Sequence, residues 1–498
     1  MKIVIVGGGA AGLFAALLLA RAGHEVTGLD QDRLAPAPDA ESAAAVAFRP
    51  SAPQIVQPHI VMARCRELLR QRLPDVYDAL LAAGVAEAAV SAQMPAALEG
   101  APPEPDDARL TMLMTRRSTV DWVLQRAAAD QPGVTLRPGT RVTGLLTRPG
   151  GAGRPGEPGR PGGPPHVIGV RTGTGHLHAD LVVDATGRRS PIDRWLAEAG
   201  AQPAATWRAE CGVAYFSRHY RLRPGAERPG PATTRMVVGL DEFTVGIWGA
   251  DNGAMQLAVA PLAADHRFRP LRHPDVFTAV LRTVPAYAAW VDVLDPITGV
   301  FPMAGLHNTL RRLVAGGTPV VTGLHAIGDS VCTTNPTLGR GLSLALSGAA
   351  DLVDVIGRHG EDWTGQALAL DGLVADHVAP FYEDQAVIDR ARLDKLRHTI
   401  FGAPAPDPPP VAPGRVTYAQ LRAAAPFDPT AFRAFWKING MICRPGDVYS
   451  DPHVVACTQE VLRQRGSGPP VAQPTRDQLL AALATPASAA STPGSESA

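Results

Sequence analysis

Lys2-Ile3-Val4-Ile5-Val6-Gly7-Gly8-Gly9-Ala10-Ala11-Gly12 opens the chain and runs straight into the alanine- and leucine-rich stretch Leu13 to Ala22. A β-branched run, a glycine cluster and an apolar helical run read as strand, turn and helix. Gly7, Gly9 and Gly12 give the spacing G-x-G-x-x-G. The first glycine allows a tight turn, the second lets a diphosphate approach the backbone, and the third lets helix and strand pack closely. Ala10 and Ala11 open the helix, whose first N–H groups and positive dipole end face that diphosphate. A second strand, Glu25 to Leu29, ends in Asp30, where an acid meets a ribose hydroxyl. The segment predicts a dinucleotide site. A glycine turn without a ligand leaves three closely spaced glycines unexplained.

The bulk composition narrows the rest. A chain of 498 residues accommodates two or three domains and a sizeable core. Its 47 basic and 47 acidic residues cancel, so nothing favours nucleic acid or an anionic membrane. Lysine is confined to Lys2, Lys395 and Lys437. The five cysteines are scattered and lack CxxC spacing, and the 14 histidines form no HExxH, so neither a disulfide framework nor a metal site is expected. A reduced, cytoplasmic setting fits this usage. The apolar start is broken by glycines and lacks a cleavage-like site, so it does not read as a signal peptide. No run of 18 apolar residues predicts a membrane span.

Along the chain, the pattern predicts an α/β protein: a Rossmann-like first domain, an inserted, mostly antiparallel β-sheet domain for substrate, and a C-terminal helical region. The expected first domain covers 1–200 and resumes over 306–358. The sheet domain covers 201–305, helices fill 359–485, and 486–498 reads as a disordered tail. Within this frame Arg33 to Pro58 reads as a long loop, and Val61–Leu73, Val76–Ala83 and Arg117–Ala128 as helices. Leu177–Asp184 and Val320–Ile327 each read as one strand. The Gly/Pro/Arg-rich stretch at about 149–165 reads as a mobile hairpin loop. The short alternating segments Cys211–Arg221, Arg235–Gly239, Thr244–Trp248 and Met255–Ala260 carry the antiparallel signal.

Two further segments look built for a ligand. Asp184-Ala185-Thr186-Gly187-Arg188 follows one strand. Ala326-Ile327-Gly328-Asp329-Ser330 follows another and leads through Asn335-Pro336-Thr337-Leu338-Gly339-Arg340-Gly341-Leu342 into a helix. A carboxylate after a glycine turn suits a sugar or ribityl hydroxyl. A second helix start aimed at an anionic group suits reduced flavin, which gathers negative charge at its N1–C2=O edge.

These three segments, in this order and at these distances, resemble flavoprotein monooxygenases of the para-hydroxybenzoate hydroxylase fold. The resemblance covers roughly Met1 to Gly357. It implies FAD in extended form, its ADP part on Gly7, Gly9, Ala10, Ala11, Gly12 and Asp30. Asp329 and the stretch through Pro336, Gly339, Gly341 and Leu342 would serve the ribityl chain and flavin ring. Arg117, at a helix start, matches the arginine that meets the FAD phosphate or ribityl region. Val142 matches the strand residue whose backbone meets the adenine. Arg49 to His59 is similar to an element of bacterial polyether-type epoxidases, with Arg49, Pro53, Gln54 and His59 matching, Ser51 in place of a glycine and Gln57 in place of a histidine. That likeness adds Arg49 and Gln54 to the cofactor residues. His59 reads as a donor near the flavin or as a locally satisfied loop histidine.

The likeness implies an FAD-dependent monooxygenase that passes one oxygen of O2, through a flavin C4a-hydroperoxide, to a small apolar secondary metabolite by alkene epoxidation or hydroxylation. Thr186 stands where many such hydroxylases carry aspartate, so electrons would come from NAD(P)H directly or from a separate flavin reductase. No residue declares itself as a catalytic base, which leans toward an alkene. Trp248, Phe301, Pro302 and Met303 are candidate pocket walls. An isoprenoid double-bond reductase, a flavin halogenase and a non-catalytic FAD-binding protein are the competing readings. Flavin halogenases use an active-site lysine and a GWxWxIP segment; the three lysines here fit poorly, and Ile247-Trp248-Gly249 is not that segment.

Overall fold

The computed structural model describes residues 1–33, 37–149, 163–229, 237–407, 411–465 and 472–486. In chain order, the elements that build the site are β1 (Lys2–Val6), α1 (Ala10–Arg21), β2 (Glu25–Asp30), α2 (Arg117–Asp130), β3 (Val134–Pro138), β4 (Leu181–Asp184), β5 (Tyr215–Leu222), β6 (Phe243–Gly249), β7 (Ala254–Pro261), β8 (Phe301–Met303), β9 (Leu324–Ala326), α3 (Gly341–His359) and α4 (Ala379–Phe401).

Five parallel strands form the first sheet in the order β9-β4-β1-β2-β3. Strand alternation explains why it is buried on both faces. Ile3 and Ile5 of β1 join the core made with α1, α2 and α3, including Leu13, Leu17, Leu124 and Leu346. Val4 and Val6 join a second core on the other face with Val182, Ile192 and Trp195. The chain is thus mixed α/β, with a parallel sheet, antiparallel sheets and C-terminal helices.

The second large sheet is antiparallel. Strand Val237–Gly239, β6, β7, β5 and Leu294–Pro296 lie side by side, and β8 also pairs with β5. One face carries Phe216, Tyr220, Val245, Ile247, Leu257 and Val259 into a core under helix Pro274–Thr283. The opposite face carries Tyr215, Ser217 and His219 of β5 toward the first domain. Ser217 donates to Gln57 Oε1 at 2.7 Å, and the Tyr215 hydroxyl meets Asn335.

A buried ion pair fastens the two sheets. Asp251, fully buried between β6 and β7, accepts from the Arg116 backbone N–H at 2.6 Å, from Arg116 Nε at 3.0 Å and from Thr119 Oγ1 at 2.8 Å. Arg116 also meets Glu41.

Three expectations about local structure are corrected. Leu177–Asp184 is two strands, Gly175–His178 and β4. Between them Asp180 accepts the Lys2 N–H at 2.6 Å, steering the chain from a hairpin into the parallel sheet. Val320–Ile327 is broken at Gly323, whose φ of +69° ends any continuous strand. The loop Arg33–Pro58 holds a short helix, Ala40–Ala45, capped by Asp39 accepting from Ser42 N–H at 2.7 Å, and a single turn over Pro53–Val56. Most of the stretch at 149–165, all but the first residue of 486–498, and Arg235 lie outside the described residues. Among the described residues no helix is long and apolar enough to cross a membrane.

Removing one partner of a buried ion pair leaves the other charge stranded. Asp251→Ala is expected to cost about 3 kcal/mol or more of stability, read as a lower urea midpoint. An unchanged midpoint would show that Glu41 alone satisfies Arg116.

Candidate cofactor and substrate site

The loops of interest leave the carboxyl ends of adjacent parallel strands, on either side of β1. That is where open α/β sheets bind ligands. Backbone hydrogen bonds lock them together: Gly7 N–H to Leu29 O at 2.8 Å, Ala185 N–H to Val6 O at 2.8 Å, and Ile327 N–H to Asp184 O at 3.0 Å. Gly7, at φ +113°, lies so close to the Ala185 carbonyl that a Cβ would overlap it. A Cβ at Gly12 would overlap the Gly7 carbonyl oxygen, and one at Gly328 would stand 2.7 Å from the Ala11 Cβ. A Cβ at Gly9 or Gly341 would meet nothing within 4 Å. Gly7 and Gly12 are therefore glycine for packing. At Gly9 and Gly341 the backbone faces open space, as a bound diphosphate or flavin edge requires.

Both helix starts suit an anion. Neither α1 nor α3 has a side-chain cap or an acidic residue in its first turn, so their first N–H groups are free. Gly339, with φ +67°, follows the single turn Pro336–Leu338, and Leu342 is buried at the start of α3. Asp329, half-buried, has no side-chain hydrogen bond among the described residues. Burial holds its carboxyl above the ordinary carboxylate range, while the Arg117 and Arg188 charges pull it down. An unpartnered carboxylate beside two arginines is what a ribityl or ribose hydroxyl needs. The residues present therefore fit an extended dinucleotide.

Other expected residues are already engaged within the protein. Asp30 is buried and accepts from Gly8 N–H at 2.8 Å, Asp32 N–H at 2.7 Å and Arg49 Nη2 at 2.6 Å. Arg49 also donates to Asp32 at 3.0 Å and to the Gly8 carbonyl at 3.3 Å. It holds the acid and the glycine loop in register. Arg117 donates to Asp121 at 2.7 Å from the start of α2. Val142 is buried at the start of strand Val142–Arg148, two residues after Thr140, whose N–H meets Asp30 O at 2.7 Å. Gln54 lies in the Pro53–Val56 turn, partly exposed, and its side chain makes no hydrogen bond among the described residues.

The two further segments marked in the sequence are joined by side chains whose partners the sequence did not show. Asp184, fully buried, accepts from Thr186 N–H at 2.9 Å, Thr186 Oγ1 at 2.6 Å and Ser330 Oγ at 3.2 Å. Ser330 Oγ in turn accepts from Gly187 N–H at 2.9 Å. This network ties the second motif to the third. Asn335, also fully buried, donates from its backbone to Asn308 Oδ1 at 2.6 Å and from its side chain to Asp389 at 3.0 Å. Asp389 sits on α4, about fifty residues away, and fixes the turn before α3 from behind.

On the sheet side, Gln256 of β7 accepts from His59 N–H at 3.1 Å and donates to the His59 carbonyl at 2.9 Å. The His59 Nδ1 lies 3.0 Å from the Gln57 carbonyl, so Nδ1 carries the proton and Nε2 a lone pair. Burial, with the Arg117 charge, pushes the His59 pKa down to about 4. Burial, with Arg116, does the same to His219, also to about 4.

The chain matches no protein-family model. It is 25% identical over 379 residues to Protein Rv3254 of Mycobacterium tuberculosis, covering 68% of this chain and 70% of that one. Among solved structures it is similar to PqsL from Pseudomonas aeruginosa, described as a probable FAD-dependent monooxygenase, at 15% identity and TM-score 0.55, covering 81% of this chain and 98% of that one. It is also similar to the flavin-dependent brominase Bmp2, at 16% identity and TM-score 0.60, covering 93% and 99%. The fold is that of the FAD-binding monooxygenases of the para-hydroxybenzoate hydroxylase type.

Both imidazoles are neutral in the folded chain, whereas a free histidine titrates near 6.5. The unfolded chain gains protons below pH 6.5 that the folded chain refuses until about 4. Stability is thus complete above pH 6.5 and falls toward pH 4. Thermal midpoints between pH 7.5 and 4.5 should drop more steeply in the wild type than in a His59→Asn/His219→Asn double variant. Parallel profiles would remove these two groups from the acid response.

Proposed function

We propose that the chain is an FAD-dependent oxygenase acting on a small, mainly apolar organic molecule. One observation carries the reading: three loops at the carboxyl ends of one parallel sheet converge on one another, and the turn that follows the third meets the second sheet where Tyr215 bonds Asn335. FAD bound there, once reduced, supplies O2 activation and transfer of one oxygen atom. The remaining work belongs to the protein. The α1 start and Gly9 hold the diphosphate, with Asp30, kept in place by Arg49, beside the ribose. Asp329 and Arg117 flank the ribityl region, and the free N–H groups of α3 hold the flavin edge. Ser217, Gln256 and Ala258 face the flavin side and, with Phe301, form the substrate wall that excludes water.

The sequence likeness around Arg49–His59 supports an epoxidase of the polyether type, and the similarity to PqsL, described as a probable FAD-dependent monooxygenase, supports an oxygenase in general. Thr186 at the position of the usual aspartate supports electron delivery by a separate reductase. Halogenation is the second reading, favoured by the similarity to Bmp2. The lysines argue against it: Lys395 pairs with Asp241 at 3.7 Å, Lys437 with Asp106 at 3.1 Å, and Lys2 begins β1 at the far end from the glycine loop.

The test separates ligand binding from folding. Gly9→Ala is expected to keep the wild-type thermal midpoint, because the added methyl meets open space and Gly9 has an ordinary φ of −82°. Its FAD affinity should fall about tenfold or more by obstructing the diphosphate. Gly12→Ala should lose both. Wild-type FAD affinity in Gly9→Ala would remove the cofactor from this loop. Reduced FAD with ¹⁸O2 and a panel of polyenes and phenols should give singly labelled product; peroxide alone would count against oxygenation.

A further inference from the structure

A cavity of about 40 Å³ lies behind the third cofactor loop. Three elements wall it. Ile327 and Gly328 come from the loop after β9, Leu344 and Gly348 from α3, and Leu370 and Val374 from the helix Trp363–His377. The cavity follows a seam in the packing. Ile327 and Leu370 belong with the core built on α1 and α3, whereas Leu344 and Val374 belong with the cluster around Cys332 and Phe381. Interiors seldom leave such a space empty. Gly348 helps to keep it open. A Cβ there would meet only the Gly328 nitrogen, at 4.0 Å, an ordinary contact. A helix interior disfavours glycine, so packing alone gives no reason for it at this position.

Size and lining narrow the occupant. The cavity has about a quarter of the roughly 150 Å³ that takes up benzene, so an organic substrate does not fit. Its lining side chains are apolar apart from Cys332 and Asp351. Asp351 is engaged at 3.2 Å by His377 Nδ1. Burial pushes the Cys332 thiol up, and the Asp329 charge adds to that, so the sulfur stays protonated and inert. A buried water needs several polar partners, and these side chains offer few. A small apolar gas needs none; dispersion against the apolar walls and release from water suffice to hold it.

Resting on the oxygenase reading, we infer that this cavity is a binding site for molecular oxygen. Its position selects that gas. Gly328 immediately precedes Asp329, assigned above to the ribityl region. Leu344 stands one turn into α3, whose free N–H groups were assigned to the flavin edge. O2 held there stays concentrated beside the group that consumes it.

The test uses the full chain loaded with FAD. Crystals held under xenon, a gas of similar apolar character, should show xenon in the cavity. The double variant Gly348→Ala/Val374→Phe adds bulk from two walls. It should exclude xenon, keep the wild-type FAD affinity and flavin spectrum, and slow reoxidation of photoreduced FAD by O2 severalfold. A wild type without xenon there, an ordered water in its place, or a variant that excludes xenon yet reoxidises at the wild-type rate overturns the inference. Should the double variant not fold, xenon-saturated buffer at fixed O2 decides on the wild type. Xenon should compete and slow reoxidation, and an unaffected rate overturns the inference. A wild type that takes up no FAD, or whose reduced FAD ignores O2, fails the oxygenase reading itself; xenon in crystals of the FAD-free chain then judges the cavity separately.

Discussion

Everything in the site depends on how closely three backbones approach at the ends of β1, β4 and β9. Gly7 against Ala185, Gly12 against Gly7 and Gly328 against Ala11 leave no room for side chains. Those contacts draw the start of α1 down onto the sheet and bring the Asp184 and Gly328 loops beside it. Asp184 then finishes the junction with hydrogen bonds from Thr186 and Ser330. With the helix starts drawn onto the sheet, the first N–H groups of α1 and α3 are left without a side-chain cap.

Charge is used at the margins. Beside the glycine loop Asp30 and Arg49 largely neutralise each other. The fully buried Arg116–Asp251 pair does a different task, joining the helix that carries Arg117 to the hairpin of the second sheet. Behind α3, Asp389 performs a similar service for Asn335, so the turn before α3 is braced from the C-terminal helices.

The two faces of the second sheet show how one alternating pattern serves two purposes. Phe216, Tyr220, Val245, Leu257 and Val259 bury the outer face. The inner face takes the alternate positions and fills them with Tyr215, Ser217, His219, Gln256 and Ala258. At one end Tyr215 packs with Val213, Ala260 and Met303, and the rest of that face is polar yet buried. A face of this kind is suited to bind something mostly apolar with a small number of polar groups.

The sequence by itself determined the parallel α/β frame and the glycine loop, because those depend on local spacing: a β-branched run, three glycines at fixed intervals, and a helix. It also marked the Asp184 and Gly328–Leu342 stretches, which follow strands directly. It could not separate Gly9, facing open space, from Gly12, facing a carbonyl, since both are simply glycine until the chain folds. It singled out Arg117, whereas the sheet-to-sheet tie falls on its neighbour Arg116, whose partner Asp251 lies far along the chain. Asp389 and His219 had no local signal at all: an aspartate on a long helix and a histidine in an alternating strand gain meaning only from what packs against them. The tertiary structure decided those roles because burial and partner distance, unlike spacing, are set by segments hundreds of residues apart.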